Sequence, residues 1–314
     1  MQDFVHLHVH TQYSLLDGQA SIAKLVDKAI ADGQRGIAIT DHGNMFGVKE
    51  FWNYIKKKNG ARRDKIKQTS ARIAELQAAV ESPDATDEQR DELAKLKAEY
   101  DALPKDDFKC IIGCEVYVAR RGMHLKDKSH KEDQSGYHLI LLAKNKTGYK
   151  NLIKIVSKAW TEGFYMRPRT DHKELEKYHE GLICCSACLG GEIPKKISSG
   201  DLEAAEKAIM WHKSLFGEDY YLELQLHKAT VERANHETYV IQKQVNEHLI
   251  RLAEKCGVKL ICSNDVHFVD EIHAEAHDRL ICLSTSRDLD DPKRMLYSKQ
   301  EWMKTRAEMN AIFY

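Results

Sequence analysis

The sequence predicts an α/β fold, because short apolar runs alternate with amphipathic segments along most of its 314 residues. Seven runs rich in β-branched and aromatic residues are expected to form strands, at residues 4–10, 36–41, 110–118, 137–143, 182–187, 220–226 and 259–265. Most of these runs are almost continuously hydrophobic, as in a parallel sheet that is covered on both faces. The alternation favours an α/β barrel or a doubly wound sheet and does not separate the two.

The segments between the strands carry helix signals. After Ser21, apolar residues follow the 3.6-residue period as far as Ile30, and Gly33 lies just past the end. The same period begins after Thr147, and Asp201 is placed to cap a further helix. Residues 231–255 are expected to form a long helix that Gly257 closes.

Residues 57–107 interrupt the alternation, because they contain no plausible strand and are dense in charged side chains. Two series of apolar positions follow the spacing of a heptad seam, namely Ile66, Thr69, Ile73, Leu76 and Val80, and then Leu93, Leu96, Tyr100 and Leu103. Between them, Thr86 and Gln89 stand in capping-box positions. We therefore expect an inserted antiparallel two-helix hairpin, whose charged surface is either a solvated face or a partner-binding face.

Composition excludes several classes of protein. Lys plus Arg and Asp plus Glu number 48 each, so no overall electrostatic field attracts the chain to nucleic acid or a membrane. No apolar run is long enough to cross a bilayer, and histidines interrupt the only early apolar run, so neither a membrane segment nor a signal peptide is expected. Eight cysteines without a regular framework indicate free thiols in a reducing compartment. A cytoplasmic enzyme is the expectation.

Potential metal ligands stand at or near the ends of several predicted strands. His8 and His10 are two residues apart, so on a strand both imidazoles point to one face, and Asp17 follows. The run 36–41 is followed by His42, and Glu115 lies inside an apolar strand, where an unpaired charge is costly. A second pair with the same spacing, Asp265 and His267, closes the seventh run. The C-terminal ends of barrel strands are where active-site residues gather.

The chemistry of this set indicates a metal-dependent hydrolase. Imidazoles and carboxylates together suit Zn, Mn or Fe, Mg is a further candidate, and bridging carboxylates favour more than one ion. Two or three divalent ions close together can neutralise a phosphate ester and activate water for its hydrolysis. Neither a Walker A sequence nor a Rossmann fingerprint occurs, so nucleotide binding by those loops is not expected.

Other candidates have weaker signals. By its position, His138 at the start of a predicted strand is a core or surface residue. Cys188 forms a Cys-x-x-Cys pair with Cys185 that has no second pair nearby, so a four-cysteine zinc site is not expected, but Cys188 alone, just after the fifth strand, is a candidate thiolate ligand. Asp41 and His227 stand at the ends of predicted strands and are candidates for residues that support the metal ligands without binding the metal. The pair His273 and His277 is expected to be a plain helix face, because it lacks the HExxH order. Arg167 and Arg169 are candidates for phosphate or DNA contact, or for a surface ion pair.

Several motifs resemble the PHP domain (polymerase and histidinol phosphatase), in the form found in bacterial replicative DNA polymerases. They are VHLHVHTQYSLLDG at 5–18, AITDHGNM at 38–45, IGCEVY at 112–117, YHLILLA at 137–143, GYKNL at 148–152, GFYMRPR at 163–169, SACLGG at 186–191, NDVHF at 264–268 and DDPKRM at 290–295. The resemblance covers nearly the whole chain except the 57–107 hairpin. The linking motifs are polymerase-like, and a histidinol phosphatase has no need of them.

The resemblance implies a distorted seven-stranded (β/α)7 barrel, similar to a TIM barrel, with a trinuclear metal centre. Carried over position by position, the implied ligands are His8, His10, Asp17, His42, Glu115, His138, Cys188, Asp265 and His267. Because each position holds a residue able to bind metal, the resemblance implies real hydrolysis, with 3′→5′ removal of mispaired nucleotides as the expected reaction.

The expected organisation is a phosphoesterase barrel over residues 1–284, followed by the start of a polymerase portion at 285–314. A palm domain with its catalytic aspartates needs several hundred further residues, so we expect an N-terminal piece that does not itself polymerise DNA. The expected partners are a DNA primer 3′ end, the remaining polymerase domains and a proofreading exonuclease subunit. The alternatives are a silent structural module that docks such a subunit and a small-molecule phosphatase.

Overall fold

The computed structural model describes residues 3–313, which form an α/β fold around one mixed sheet of seven strands. The strands are β1 Gly36–Ile39, β2 Lys109–Val118, β3 Tyr137–Ala143, β4 Arg169–Thr170, β5 Leu182–Cys185, β6 Tyr220–Leu224 and β7 Lys259–Cys262. Their spatial order is β1-β2-β3-β5-β6-β7, with β4 paired to β2. Six of the seven predicted strands are therefore present.

The expectation of a parallel sheet is wrong for β3, which runs antiparallel to both β2 and β5. The pairs β2–β4, β5–β6 and β6–β7 are parallel. Continuous hydrophobicity reports that both faces of a strand are buried and carries no information about its direction. Ile140 and Leu142 of β3 pack in one apolar cluster, whereas Leu139 and Leu141 pack in another on the opposite face.

The first predicted strand, residues 4–10, is not a strand. Its backbone is hydrogen-bonded to the neighbourhood of β1 through His6 and Val9, and to Val266 beyond β7 through His8 and His10. The ladder is interrupted at Val9, whose amide donates 2.8 Å to the Thr40 hydroxyl instead of to a carbonyl. The seventh strand is β4 instead. The sequence did not predict it, because a strand of two residues is too short to show a periodic pattern.

The helices are α1 Ile22–Ala31, α2 Val48–Val80, α3 Asp87–Ala102, α4 Lys146–Thr161, α5 His172–Tyr178, α6 Glu192–Ser198, α7 Leu202–Phe216, α8 Glu232–Ala234, α9 Ile241–Cys256, α10 Ala274–Thr285 and α11 Arg306–Phe313. Asp201 caps α7 by accepting from the amide of Ala204, as expected. The long helix expected over 231–255 is divided, because the π-helical segment Asn235–Val240 separates α8 from α9. Gly257 ends α9 with φ +63°.

The chain divides into two compact units, one formed by Glu50–Lys109 and the other by the remaining residues. The smaller unit contains α3 and most of α2, which begins at Val48, ahead of the predicted start at residue 57. The ion pairs Lys65–Glu99 and Arg72–Glu92 join the two helices in antiparallel order. The predicted seam positions are buried or half-buried, and Thr86 with Gln89 forms the expected capping box.

The main core packs one face of the sheet against α4, α6, α7 and α9. All eight cysteines are free thiols, as the sequence predicts. Within residues 3–313, no helix combines the length and the apolar character that a membrane span requires.

Candidate metal centre

The structure brings the nine predicted ligands together at one end of the sheet. Three groups place potential ligand atoms within 4.8 Å of one another: His8, His10 and Asp265; His10, His42 and His267; and Glu115, His138 and Cys188. His10 belongs to two groups, and Glu115 contacts His42 as well as His138. Asp17 completes the set, because its Oδ2 lies 2.9 Å from Nε2 of His42.

Strand direction explains how His138 joins the cluster although it begins its strand. Because β3 is antiparallel to β2, its first residues pair with the last residues of β2, and His138 lies opposite Tyr117. His138 is therefore near Glu115, two residues before Tyr117, and its Nδ1 lies 2.7 Å from Oε1 of that carboxylate. Cys188 follows β5, and its Sγ lies 3.5 Å from the same Nδ1.

Backbone strain marks the segment after β7. Asp265 has φ +46°, in the left-handed region that non-glycine residues seldom adopt. Its neighbour Asn264 holds this conformation by donating to the carbonyls of Gln300 and Trp302, at 2.8 and 2.7 Å. The turn places Asp265 Oδ1 3.0 Å from Nε2 of His8 and 3.2 Å from Nε2 of His10. Strain of this kind is typical of functional sites.

The cluster contains buried polar atoms that form no hydrogen bond. They are Nε2 of His8, His10, His267 and His277, and Oδ1 of Asp265. Buried polar atoms are nearly always satisfied, so several orphans facing one another indicate a missing common partner. Imidazole nitrogens, carboxylates and one thiol are donors that zinc, manganese and iron accept. These residues fit a multinuclear divalent metal centre.

The other ring nitrogen of three of these histidines is hydrogen-bonded away from the cluster. Nδ1 of His8 donates to Glu223, Nδ1 of His10 donates to Ser14, and Nδ1 of His267 donates to the Asp265 carbonyl, at 2.7, 3.0 and 2.7 Å. With the proton on Nδ1, each Nε2 keeps its lone pair for a metal. Metal-binding histidines are usually fixed in this way.

Burial and pairing set the charges of the cluster. Burial alone would raise the pKa of Glu115, but the charges of His138 and His42 hold it well below its usual range. Burial likewise opposes ionisation of Asp17, yet His267, His277 and His42 keep its pKa well below the ordinary value. Burial lowers the pKa of His10 to about 3, so this ring is neutral. Burial raises the pKa of the Cys188 thiol, which a metal ion would deprotonate.

Asp41 and His227 lie behind the cluster. Asp41 accepts from the Thr11 amide and from the Ser14 hydroxyl, both at 2.7 Å, and Ser14 in turn accepts from His10. His227 donates from Nε2 to the Asn264 carbonyl at 3.1 Å, and its Nδ1 accepts from Gln242 at 3.1 Å. His227 therefore links the segment that carries Asp265, through Nε2, to α9, through Nδ1.

Two expectations from the sequence need correction. Arg169 has 0% exposure, and its guanidinium donates to the carbonyls of Gly163, Met123 and Leu125, so it is not available to a phosphate. Arg167 is exposed and lies 5.8 Å over the ring of Tyr117. His277 is not a plain helix face: it is buried, and its Nε2 lies 3.7 Å from Asp17 Oδ1.

Sequence reasoning also missed Glu223 and Tyr297. Glu223 stands inside the apolar strand β6 and is 2% exposed, which is the same signal that identified Glu115. The Tyr297 hydroxyl donates to Asp17 at 3.0 Å, from a segment in which no pattern suggested a role. Residues beyond 284 thus contact the cluster and belong to the same compact unit as the sheet.

A pocket of about 220 Å³, open to solvent, gives access to the cluster. Its wall includes six of the predicted ligands, together with Leu189, Gln225, His227, Leu296 and Tyr297. Arg294 anchors the segment that supplies Leu296 and Tyr297, through a bidentate ion pair with Asp278 at 2.5 and 2.9 Å. The site is therefore accessible to a ligand of moderate size.

Comparison with known proteins agrees with this geometry. Residues 6–227 match the PHP domain. The chain belongs to the PHP domain family. The matched region of this PHP domain contains seven of the nine clustered residues, and Asp265 and His267 follow it.

The relatives of this PHP domain are bacterial proteins named DNA polymerase III subunit alpha. That of Borreliella burgdorferi is 38% identical over 314 residues, 99% of this chain and 22% of the relative. The protein of Treponema pallidum is 36% identical over 312 residues, which cover 99% of this chain and 22% of the relative. The protein of Thermus aquaticus is 33% identical over 312 residues, which cover 98% of this chain and 21% of the relative. The chain spans about a fifth of the length of these relatives.

A solved structure from Bifidobacterium adolescentis is described as a metal-dependent phosphoesterase. Its alignment with this protein covers 85% of this chain and 88% of the chain in that structure. The TM-score is 0.31 and the identity 12%, and we base no argument on a similarity of that size.

Proposed function

We propose that this PHP domain is a metal-dependent phosphoesterase that removes nucleotides from the 3′ end of DNA. The main support is the convergence of three ligand triads, in two of which the buried ligand atoms of His8, His10, His267 and Asp265 lack hydrogen-bond partners. A domain with only a structural role has no need to bury so many unsatisfied donors, because each such donor costs free energy.

The group that this site would hold is a set of two or three divalent ions, zinc, manganese or iron by ligand type. The residues that would hold it are the nine clustered side chains: His8, His10, Asp17, His42, Glu115, His138, Cys188, Asp265 and His267. When bound, the ions supply Lewis-acid chemistry for phosphoester hydrolysis.

The chain's own residues orient the reaction. Glu223 and Ser14 hold the rings of His8 and His10 in a single tautomer, and Tyr297 holds Asp17 through its hydroxyl. Exposed Arg167 presents a cation near Tyr117, where it can pair with a backbone phosphate of the substrate. Leu189 and Leu296 supply apolar wall to the pocket against which a sugar or base can pack.

The choice of substrate rests on the relatives, which are named DNA polymerase III subunit alpha. A 3′-terminal nucleotide is the part of a primer on which an editing phosphoesterase acts. The formal net charge is zero, so we infer that other domains of a longer polymerase chain contribute most of the grip on DNA. A proofreading subunit as a further partner and a cytoplasmic location belong to the same proposal.

The test uses Asp265→Asn, because asparagine tolerates the left-handed backbone of Asp265 while it removes the charge. A 5′-labelled primer with a mispaired 3′ end is incubated with Mn²⁺ and the chain, and products are resolved by length. We expect stepwise shortening from the 3′ end by the wild-type chain. The variant should be slower by more than about 100-fold, since ligand loss exceeds the effect of losing a supporting residue.

The matched control is Asp84→Asn, which changes an exposed aspartate in the turn between α2 and α3. It should cleave as fast as the wild type. Equal cleavage by wild type and Asp265→Asn would remove the assigned site. If a small phosphomonoester is hydrolysed while the primer stays intact, the chain is a small-molecule phosphatase. Metal binding without cleavage of either substrate would indicate a structural module.

A further inference from the structure

A second group of potential metal ligands lies outside the nine-residue cluster. His172 begins α5, Glu192 begins α6 and His212 lies within α7. One ligand atom from each lies within 4.8 Å of the other two, and Nε2 of His172 is 3.3 Å from Oε2 of Glu192. Three consecutive helices thus bring two imidazoles and one carboxylate together.

The ring of His212 is fixed in the tautomer that a metal requires. Its Nδ1 lies 2.8 Å from the carbonyl oxygen of Ala208, one turn earlier in α7, so Nδ1 carries the proton and Nε2 keeps its lone pair. The side chain is 1% exposed and stacks on Tyr220, with ring centroids 5.1 Å apart. Burial lowers the pKa of His212 to about 4, so the imidazole is neutral at physiological pH. A backbone carbonyl behind the ring is a usual support for a metal-binding histidine.

The other two side chains, His172 and Glu192, each have an atom available to bind a metal. Lys196 approaches Oε1 of Glu192, at 3.5 Å, which leaves Oε2 directed toward His172. Nε2 of His172 is buried and has no hydrogen-bond partner. Burial would raise the pKa of Glu192, but the interaction with His172 holds it below its ordinary value, so the carboxylate is charged.

We propose that His172, Glu192 and His212 bind a divalent metal ion of their own, zinc by the type of ligand. Two imidazoles and one carboxylate are a known zinc ligand set, with water in the fourth position. The three ligand atoms lie within 4.8 Å of one another. Because zinc lies about 2.0–2.1 Å from each such donor, binding requires these atoms to approach one another more closely. His172 has room for that movement, because its side chain is 42% exposed.

The position of this site gives it a structural role. Glu192 begins α6 directly after the turn in which the amide of Gly191 donates to the carbonyl of Cys188. The same turn is joined to β3, because the amide of His138 donates to the carbonyl of Gly190. An ion at Glu192 would therefore hold in place the turn that presents Cys188 to the main cluster.

The experiment counts zinc per chain by mass spectrometry after equilibration with excess zinc and gel filtration. We expect His172→Ala and Glu192→Gln each to bind one equivalent less than the wild-type chain. The matched control is His179→Ala, which removes a histidine at the other end of α5 that belongs to no ligand group. It should bind as much zinc as the wild type.

Anomalous diffraction at the zinc edge locates the ions directly. A peak between His172, Glu192 and His212 in wild-type crystals, absent in the variants, is the expected result. Full zinc content in both variants, or peaks at the main cluster alone, would overturn the proposal. If His172→Ala does not fold, the isosteric Glu192→Gln variant decides alone, because it keeps the shape of the side chain and removes only its charge.

Discussion

Oε1 of Glu223 lies 2.7 Å from Nδ1 of His8, and both side chains are shielded from solvent. The same oxygen accepts from Gln225 at 3.0 Å and from the hydroxyl of Ser263. Three donors around one oxygen of this buried carboxylate offset part of the cost of burying it. The result is a proton held on Nδ1 of His8, so that Nε2, 3.0 Å from Asp265, is the nitrogen that would bind a metal.

Replacing Glu223 by glutamine should weaken metal binding while the fold persists. The amide keeps the size of the side chain but is a weaker acceptor, so His8 becomes a poorer ligand. A loss of about 10- to 100-fold in metal affinity is expected for a supporting residue of this kind. Isothermal titration with Mn²⁺ measures it, and Glu218→Gln, an exposed glutamate just before β6, is the control. Unchanged affinity in Glu223→Gln would mean that the carboxylate serves stability alone.

Gly190 is a position where a single methyl group would reach the cluster. A Cβ at this residue would lie 2.9 Å from Cγ and 3.0 Å from Nδ1 of His138, closer than packed atoms allow. Gly190→Ala should therefore displace the His138 ring and impair the group that includes Glu115 and Cys188. We expect the metal content to fall by one ion per chain, with little change in far-ultraviolet circular dichroism.

The control for that substitution is another glycine-to-alanine change, Gly60→Ala, which has no neighbouring atom within 4 Å of its new Cβ. It should leave the metal content unchanged. Full occupancy in Gly190→Ala, with His138 in its original place in a crystal structure, would contradict the assignment of His138 as a ligand.

We expect the buried side chain of Lys304 to make the free energy of unfolding depend on pH, independently of the metal ligands. It is buried, and burial lowers its pKa to about 8 from the ordinary 10.5, although Glu301 partly opposes this. Between these two values the unfolded chain binds more protons, so stability rises with pH across this window and the full penalty is present below about 8. The penalty amounts to about 3 kcal/mol at most.

Lys304→Met should remove this penalty. The Gln300 carbonyl that Lys304 contacts keeps a donor in Asn264, so the substitution orphans no acceptor there. In urea titrations the variant should be more stable than the wild type at pH 7, and its advantage should shrink as the pH approaches 10.5. An advantage that stays constant from pH 7 to pH 10.5 would mean that Lys304 is not desolvated.

The sequence predicted the cluster better than it predicted the sheet. Histidines and carboxylates next to apolar strands stand out as residues, and the structure brings His8, His10, Asp265 and His267 together by the backbone bonds that flank β7. His138 was found only through family resemblance, since its position at the start of a strand makes sense only once β3 is known to be antiparallel. Strand direction depends on contacts between distant segments, which local hydrophobicity does not record.

Two neighbours of Asp17 were missed for the same reason. His277 and Tyr297 approach Asp17 from α10 and from the segment beyond it, and spacing within a helix or loop cannot report a partner some 260 residues away or more. Arg169 and Arg167 form a matching pair in the sequence, yet one lies buried among carbonyls and the other is exposed. Arg169 belongs to β4, which pairs with β2, whereas Arg167 lies before that strand.

The hairpin unit offers a prediction about stability that no ligand affects. Gly60 lies inside α2, away from both ends of the helix, and a Cβ there would contact nothing within 4 Å. Glycine costs a helix interior about 0.5–1 kcal/mol relative to alanine, because it loses more backbone entropy on folding. Gly60→Ala should therefore stabilise α2 by about that amount, measured as slower hydrogen exchange of its amides. Gly148→Ala is the contrasting variant and should be strongly destabilising, since its Cβ would collide with the Gly181 carbonyl. Faster exchange in Gly60→Ala would show that α2 needs the freedom of glycine at this position and is not a regular helix there.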